Sequence, residues 1–96
     1  IENVLIYPNP VSENAHFTFN LTNDADVVVN IYTVRGRRIR SINAGFQRRG
    51  YNQIFWDGRD QDGDRLANNT YFYKIRAISK DDQSSKEVIE KLVIYR

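Results

Sequence analysis

The stretch YFYKIRAI, residues 71–78, decides the fold class. Its apolar side chains recur at every second position, at Tyr71, Tyr73, Ile75 and Ala77. A period of two places these side chains on one face of a β-strand, whereas a helix would need apolar residues three and four positions apart. The stretch therefore predicts a β-strand with one face in the core.

The same period continues outward from this strand in both directions. EVIEKLVIY (87–95) follows a polar loop, and AHFTFNL (15–21) and the segment 27–34 precede it. Shorter runs, NVLIY (3–7), RRIRSI (37–42) and NQIFW (52–56), complete about seven strands with no convincing helix. Strands at this spacing predict an all-β, two-sheet antiparallel β-sandwich that forms a single domain over residues 1–96.

Several connections between the strands are predicted, including turns at residues 22–26 and 80–85. Pro8-Asn9-Pro10 ends the first strand, and Arg35-Gly36 closes a hairpin because glycine accepts a positive φ. A loop is expected around residues 45–50, between Gly45 and Gly50.

His16, Thr18 and Asn20, which alternate with the apolar residues of the segment 15–21, are expected on a solvent face.

Composition excludes several classes of function. The chain of 96 residues has no cysteine, so it has no disulfide, no thiolate nucleophile and no cysteine zinc site. Fourteen Lys and Arg against twelve acids give a net charge of +2, too mild to indicate nucleic-acid binding. No segment is long and apolar enough to enter a membrane, and any export signal is expected to lie elsewhere.

The acidic stretch WDGRDQDGD (56–64) is predicted to be a structural turn. Asp57-Gly58 and Asp62-Gly63 are strong turn pairs, since Asp side chains accept hydrogen bonds from nearby backbone N–H groups. Arg59 is expected to neutralise part of the acidic charge.

A weak cation site is the alternative interpretation of this stretch. With Gly63 as the turn glycine, three carboxylates fall at the alternate positions of a calcium loop: Asp60, Asp62 and Asp64. The first and last ligand positions are Gly58 and Asn69, so both end ligands are missing.

No catalytic group is predicted, and no cofactor. His16 is the only histidine, on an expected solvent face without a Ser or Cys beside it. Asp81 and Asp82 lie in a polar loop where nothing would raise a carboxyl pKa. The basic run RGRRIR (35–40) is interpreted as guarding a strand edge, with a phosphate-binding or partner-binding face as the alternative.

Four motifs carry a resemblance to a known family. YPNP (7–10), IYTVRGRRIR (31–40), WDGRDQDGD (56–64) and YFYKIRA (71–77) resemble the immunoglobulin-like domains of FlgD-like flagellar hook-cap proteins. Similar domains end proteins handled by the bacterial type IX secretion system, and the terminal EKLVIYR (90–96) favours that group. IFWDGRDQDGDRLANNTYFYKI (54–75) most resembles the C-terminal domain of PorU-type surface sortases, in the gingipain-like cysteine peptidase family.

The chain departs from the family pattern at two places. The family usually has an aromatic residue where Val11 stands, and Gly-Val where Asn69-Thr70 stands. Asn tolerates the left-handed conformation that Gly would adopt, so the fold is expected to survive the change.

The resemblance implies an immunoglobulin-like sandwich and a non-catalytic sorting or docking domain. Its partners would be proteins of the secretion and attachment machinery, reached in the periplasm and then at the outer membrane or cell surface. The parent's catalytic residues would lie upstream. The motif residues that the resemblance marks as structural are Tyr7, Pro8, Asn9, Pro10, Trp56, Asp57, Gly58, Arg59 and Asp60.

The final strand, residues 86–95, is the predicted recognition element, because a terminal edge strand can pair with a partner's strand. The alternative is that it only completes the sandwich. The predicted partner-binding residues are Lys86, Val88, Glu90, Lys91, Leu92, Val93 and Ile94. Two other functions remain open: a hook-cap-type assembly module, and a calcium- or carbohydrate-binding accessory module of a secreted enzyme.

Overall fold

The computed structural model describes residues 1–96 and contains seven strands and no helix. In chain order they are β1 (Glu2–Tyr7), β2 (Ala15–Leu21), β3 (Ala25–Thr33), β4 (Arg38–Gln47), β5 (Gly50–Trp56), β6 (Asn69–Ser79) and β7 (Ser85–Ile94). No helix long and apolar enough to cross a membrane is present.

The strands form two antiparallel sheets. The three-stranded sheet has the order β1-β2-β5, and the four-stranded sheet has the order β4-β3-β6-β7. This division of seven strands is that of an immunoglobulin-like sandwich. The predicted fold class is confirmed.

The alternating residues face each other across the core. β2 contributes Phe17 and Phe19, β5 contributes Trp56, and β6 contributes Tyr73, all almost completely buried. The ring of Phe17 stacks on Trp56 at 5.9 Å between centroids and lies 5.0 Å from Tyr73. Large rings from both sheets therefore fill the core, as predicted from the apolar residues at every second position of the strands.

Two predictions are wrong: the loop that was expected to begin at Gly45, and the exposure of Thr18. β4 runs through Gly45 to Gln47, so no loop begins at Gly45. Val27 pairs with Gly45 while Val28 pairs with Asn43, and the extra residue forms a β-bulge in which Gly45 takes φ 68°. Thr18 is buried because its strand is central in the three-stranded sheet.

A tyrosine fixes the crossing between the sheets. Tyr71, near the start of β6, donates its hydroxyl to the carbonyl of Ala67 at 2.7 Å. A tyrosine bonded to backbone a few residues upstream is a recurring corner of immunoglobulin-like folds. Burial raises the pKa of Tyr71 and, together with Glu90, raises that of Tyr73 to about 12.

Candidate functional site

The acidic stretch folds into a turn held by its own carboxylates. Asp60 Oδ1 accepts hydrogen bonds from the backbone N–H groups of Asp62 at 3.0 Å and Asp64 at 2.9 Å. Asp57 Oδ1 accepts from the N–H of Arg59 at 3.0 Å. We call residues 57–64 the acidic turn.

Arg40 joins the acidic turn to the other sheet. Its guanidinium donates to Asp57 Oδ1 at 2.9 Å and to the carbonyl of Arg59 at 2.8 Å, and the same carbonyl accepts from Trp56 Nε1 at 3.0 Å. Partial burial raises the pKa of the Asp57 carboxyl, but the bonds from Arg59 N–H and Arg40 outweigh it, so the pKa lies below 3.8. The positive charge of Arg59 also lowers the pKa of Asp57, as expected, while its guanidinium donates its hydrogen bond to the carbonyl of Gly63 at 2.9 Å.

The backbone of the acidic turn also covers the edge of β4. Gln61 N–H donates to the carbonyl of Ile39 at 2.8 Å, and Gln61 Oε1 accepts from Ser41 N–H at 2.9 Å. An exposed strand edge invites pairing with another chain, and these bonds occupy part of it. Sequence reasoning placed Arg40 in a basic run that guards a strand edge, but it missed the contact with Asp57, which lies 17 positions away. It also missed Gln61, whose partner Ser41 lies 20 positions away.

Gly58 is the tightest point of the acidic turn. It has φ 77°, and a Cβ there would overlap the carbonyl oxygen of Glu13. Only glycine meets both demands without strain.

The three carboxylates of the alternative cation site lie close together. Asp60, Asp62 and Asp64 each offer an oxygen, and these oxygens lie within 4.8 Å of one another. The bonds that Asp60 accepts from the backbone account for its position, while Asp62 and Asp64 are exposed.

Only some of the side chains in the predicted recognition strand are accessible to a partner. Leu92 and Ile94 are 0% and 1% exposed, so they belong to the core and a folded domain cannot offer them to a partner. Val88 is half-buried, whereas Lys86, Glu90, Lys91 and Val93 are exposed. The side chains available to a partner are therefore the charged ones and Val93, together with Ile89, which sequence reasoning left out.

One end of β7 has its outer edge occupied. Val93 N–H donates to Asn9 Oδ1 at 3.0 Å, and Val93 C=O accepts from Val11 N–H at 2.7 Å. Tyr95 N–H donates to the carbonyl of Val11 at 2.9 Å. Asn9, in the YPNP motif, and Val11 thus tie the chain after β1 to the end of β7.

The other end of β7 has an open edge. Its pairing with β6 is regular from Ser85 to Ile94, so backbone groups point alternately toward β6 and away from it. The backbone N–H and C=O of Val93 point away from β6, so those of every second residue before it do too. These outward groups, on Glu87, Ile89 and Lys91, have no hydrogen-bond partner. We call Glu87–Lys91 the open edge.

The remaining candidate residues lie apart from these features. His16 is half-buried, with its ring edge-on to Phe55 at 5.5 Å. Asp82 lies in the β6–β7 loop, where hydrogen bonds from Ser84 lower its pKa. The structure does not bring His16 together with Asp81 or Asp82.

Solved structures of several proteins resemble this fold. Dimeric latent PorU from Porphyromonas gingivalis matches with 28% identity and a TM-score of 0.77, over 95% of this chain and 9% of that one. FlgD from Xanthomonas campestris matches with 17% identity and a TM-score of 0.70, over 94% of this chain and 62% of that one. PorZ, a surface component of the type IX secretion system of P. gingivalis, matches with 20% identity and a TM-score of 0.57, over 98% of this chain and 12% of that one.

A family model completes the comparison. No curated protein matches the chain significantly. The model described as the FlgD Ig-like domain matches residues 10–81, from the YPNP motif through the acidic turn to the end of β6. The chain therefore belongs to the FlgD Ig-like domain family.

Proposed function

We propose that this chain is a non-catalytic docking domain of a type IX secretion protein and acts through protein contacts. The observation that carries the proposal is the likeness to PorU, which extends over 95% of this chain at 28% identity. The chain spans only 9% of that PorU chain, so the domain would be one part of a longer parent. A surface sortase of the PorU type, with its catalytic residues outside these 96 residues, is the proposed parent.

The open edge is the proposed docking surface. A partner strand that pairs with Glu87, Ile89 and Lys91 would extend the four-stranded sheet by main-chain hydrogen bonds. Asn9 and Val11 already occupy the neighbouring stretch, which limits the added strand to the first part of β7. Partners in the secretion machinery would meet this edge in the periplasm and at the cell surface.

Ile89→Pro in the full-length parent tests the docking surface. The N–H of Ile89 points away from β6, so proline leaves the β6–β7 ladder intact but blocks an incoming strand. We expect the parent to accumulate in the periplasm and its surface fraction to fall about tenfold, since several main-chain bonds are lost. Cell fractionation and surface labelling measure this.

Ile89→Ala is the matched control, because it removes the same side chain and keeps the N–H group. It should reach the surface normally, and both purified domains should unfold at similar temperatures. Normal surface delivery of a folded Ile89→Pro protein would contradict strand addition at the open edge.

An assembly module of the hook-cap type is the second candidate. It is favoured by the FlgD structure, which is described as revealing the hook capping essential for flagellar assembly. That likeness has 17% identity, so it supports a shared fold. The parent sequence discriminates: a peptidase domain upstream supports the secretion proposal, and a short flagellar parent supports the hook cap.

A further inference from the structure

A second surface lies on the face of the four-stranded sheet turned away from the core. Near the β3–β4 hairpin, the side chains of Tyr32, Val34, Phe72 and Ile89 line an open cleft of about 260 Å³. Val34 is 55% exposed and Ile89 is 60% exposed. Neighbouring exposed apolar side chains mark interaction sites, and a cleft below about 300 Å³ suits one large side chain better than a whole small molecule.

One ammonium group lies at this cleft. Lys74, also in the lining, has its Nζ 5.5 Å from the centre of the Tyr32 ring and 3.6 Å from Glu87 Oε2. The aromatic face and the carboxylate hold the cation beside the apolar surface. The cleft therefore combines an apolar lining with a positioned positive charge.

Further cations surround the cleft without acidic partners. Arg38 pairs with Tyr32 across β3 and β4, and Lys91 pairs with Phe72 across β6 and β7. The hairpin adds Arg35 and Arg37, and none of these four cations takes part in any of the four salt bridges of the domain. Such a field attracts carboxylates and repels a second copy of the same face.

We propose that this cleft binds an acidic polypeptide segment that carries a large apolar side chain. The apolar side chain enters between Val34, Phe72 and Ile89, and flanking carboxylates meet Lys74 and Arg38. An apolar lining favours a protein side chain over a sugar, whose hydroxyls would lose hydrogen bonds there. Ile89 belongs to both the cleft and the open edge, whereas Val34 and Arg38 lie outside the open edge. Variants at Val34 and Arg38 therefore test this binding separately from the secretion role.

Three synthetic probes test the chemistry by NMR titration of the labelled domain at low salt. They are the acetylated, amidated peptides Asp-Glu-Trp-Glu-Asp, Asp-Glu-Gly-Glu-Asp and Lys-Lys-Trp-Lys-Lys. We expect saturable amide shifts only with the acidic tryptophan peptide, centred on Tyr32, Phe72 and Ile89. Equal binding of the glycine peptide would show that the domain attracts acidic peptides without using the apolar lining. Equal binding of the basic peptide would show that the positive charges do not select the ligand. Either result overturns the proposal.

Paired arginine variants locate the interaction. Arg38→Glu should raise the Kd for the acidic tryptophan peptide about fivefold, because it places a repulsive charge beside the cleft. Arg48→Glu changes the net charge equally at the β4–β5 turn and should leave the Kd within about twofold. Equal effects of the two variants would contradict binding at the cleft.

Val34→Glu tests whether the peptide lies against this side chain, because it removes the apolar contact and adds a repulsive charge at the same point. Val34 is exposed, so the domain should stay folded while peptide binding is lost. Unchanged binding by this variant would overturn the proposal. So would sedimentation showing a dimer of the free domain that this variant dissociates, because a second copy would then be the occupant.

Discussion

Single residues decide the shape of the acidic turn, and Gly58 is the clearest of them. Its positive φ and its approach to the Glu13 carbonyl leave no room for a side chain. Neither demand follows from the sequence, where Asp57-Gly58 and Asp62-Gly63 are equivalent turn pairs. Only the packing of the turn against the β1–β2 connection distinguishes the two glycines.

Gly58→Ala and Gly63→Ala form a matched pair. Gly63 also has a positive φ but nothing within 4 Å of an added Cβ, so alanine there should cost about 1 kcal/mol of unfolding free energy. Gly58→Ala adds a backbone overlap and should cost about 3 kcal/mol or more. Urea denaturation measures both, and equal losses would show that the overlap relaxes freely.

Asp57 predicts a pH dependence of stability. Its folded-state pKa lies below 3.8, so the carboxylate stabilises the fold above that value and the contribution is lost as pH falls through the folded pKa. The gap in unfolding free energy between the natural domain and Asp57→Asn should be constant near neutral pH and shrink below about pH 4. Its size should stay under about 1 kcal/mol, because the side chain is 45% exposed. Urea titrations at a series of pH values check this, and a gap that widens in acid would contradict it.

At the scale of elements, the recurrence of apolar residues at every second position predicted the strands well. The core faces of β2, β3 and β6 follow directly from the positions of their apolar residues, such as Phe17, Val29 and Tyr73. This alternation does not predict backbone geometry that depends on how two strands pair. The β-bulge at Gly45, for example, is defined only by the register of β4 against β3. The sequence signal there, a lone glycine in a strand, also fits the loop that we expected.

The candidate docking strand shows the same limit. Alternation correctly places Leu92 and Ile94 together on one face, and the structure shows that this face is core. Which half of β7 has an open edge depends on Asn9 and Val11, more than eighty positions earlier in the chain. Local patterns cannot reveal a contact at that separation.

At the scale of the whole molecule, β7 contributes two fully buried side chains to the core, Leu92 and Ile94. Deleting residues 86–96 removes Leu92 and Ile94 from the core, and loss of one such buried side chain already costs about 2–5 kcal/mol. We expect the truncated chain to lose its cooperative thermal transition, as followed by circular dichroism. A truncated chain that still unfolds cooperatively would show that six strands suffice.

This expectation affects how secretion experiments are interpreted. A truncation that blocks export would report unfolding as well as a lost docking surface. Substitutions on the open edge, such as Ile89→Pro, separate the two because the core stays complete.

The bonds between Val11 and the end of β7 have a mechanical consequence. The chain segments at Val11 and Ile94 are parallel, so tension that reaches them from the two chain ends pulls them along their length in opposite directions. The Val11–Val93 and Tyr95–Val11 bonds then share the load in shear instead of opening one after another. A domain anchored at one end and pulled at the other would meet bonds at this clamp that must break together.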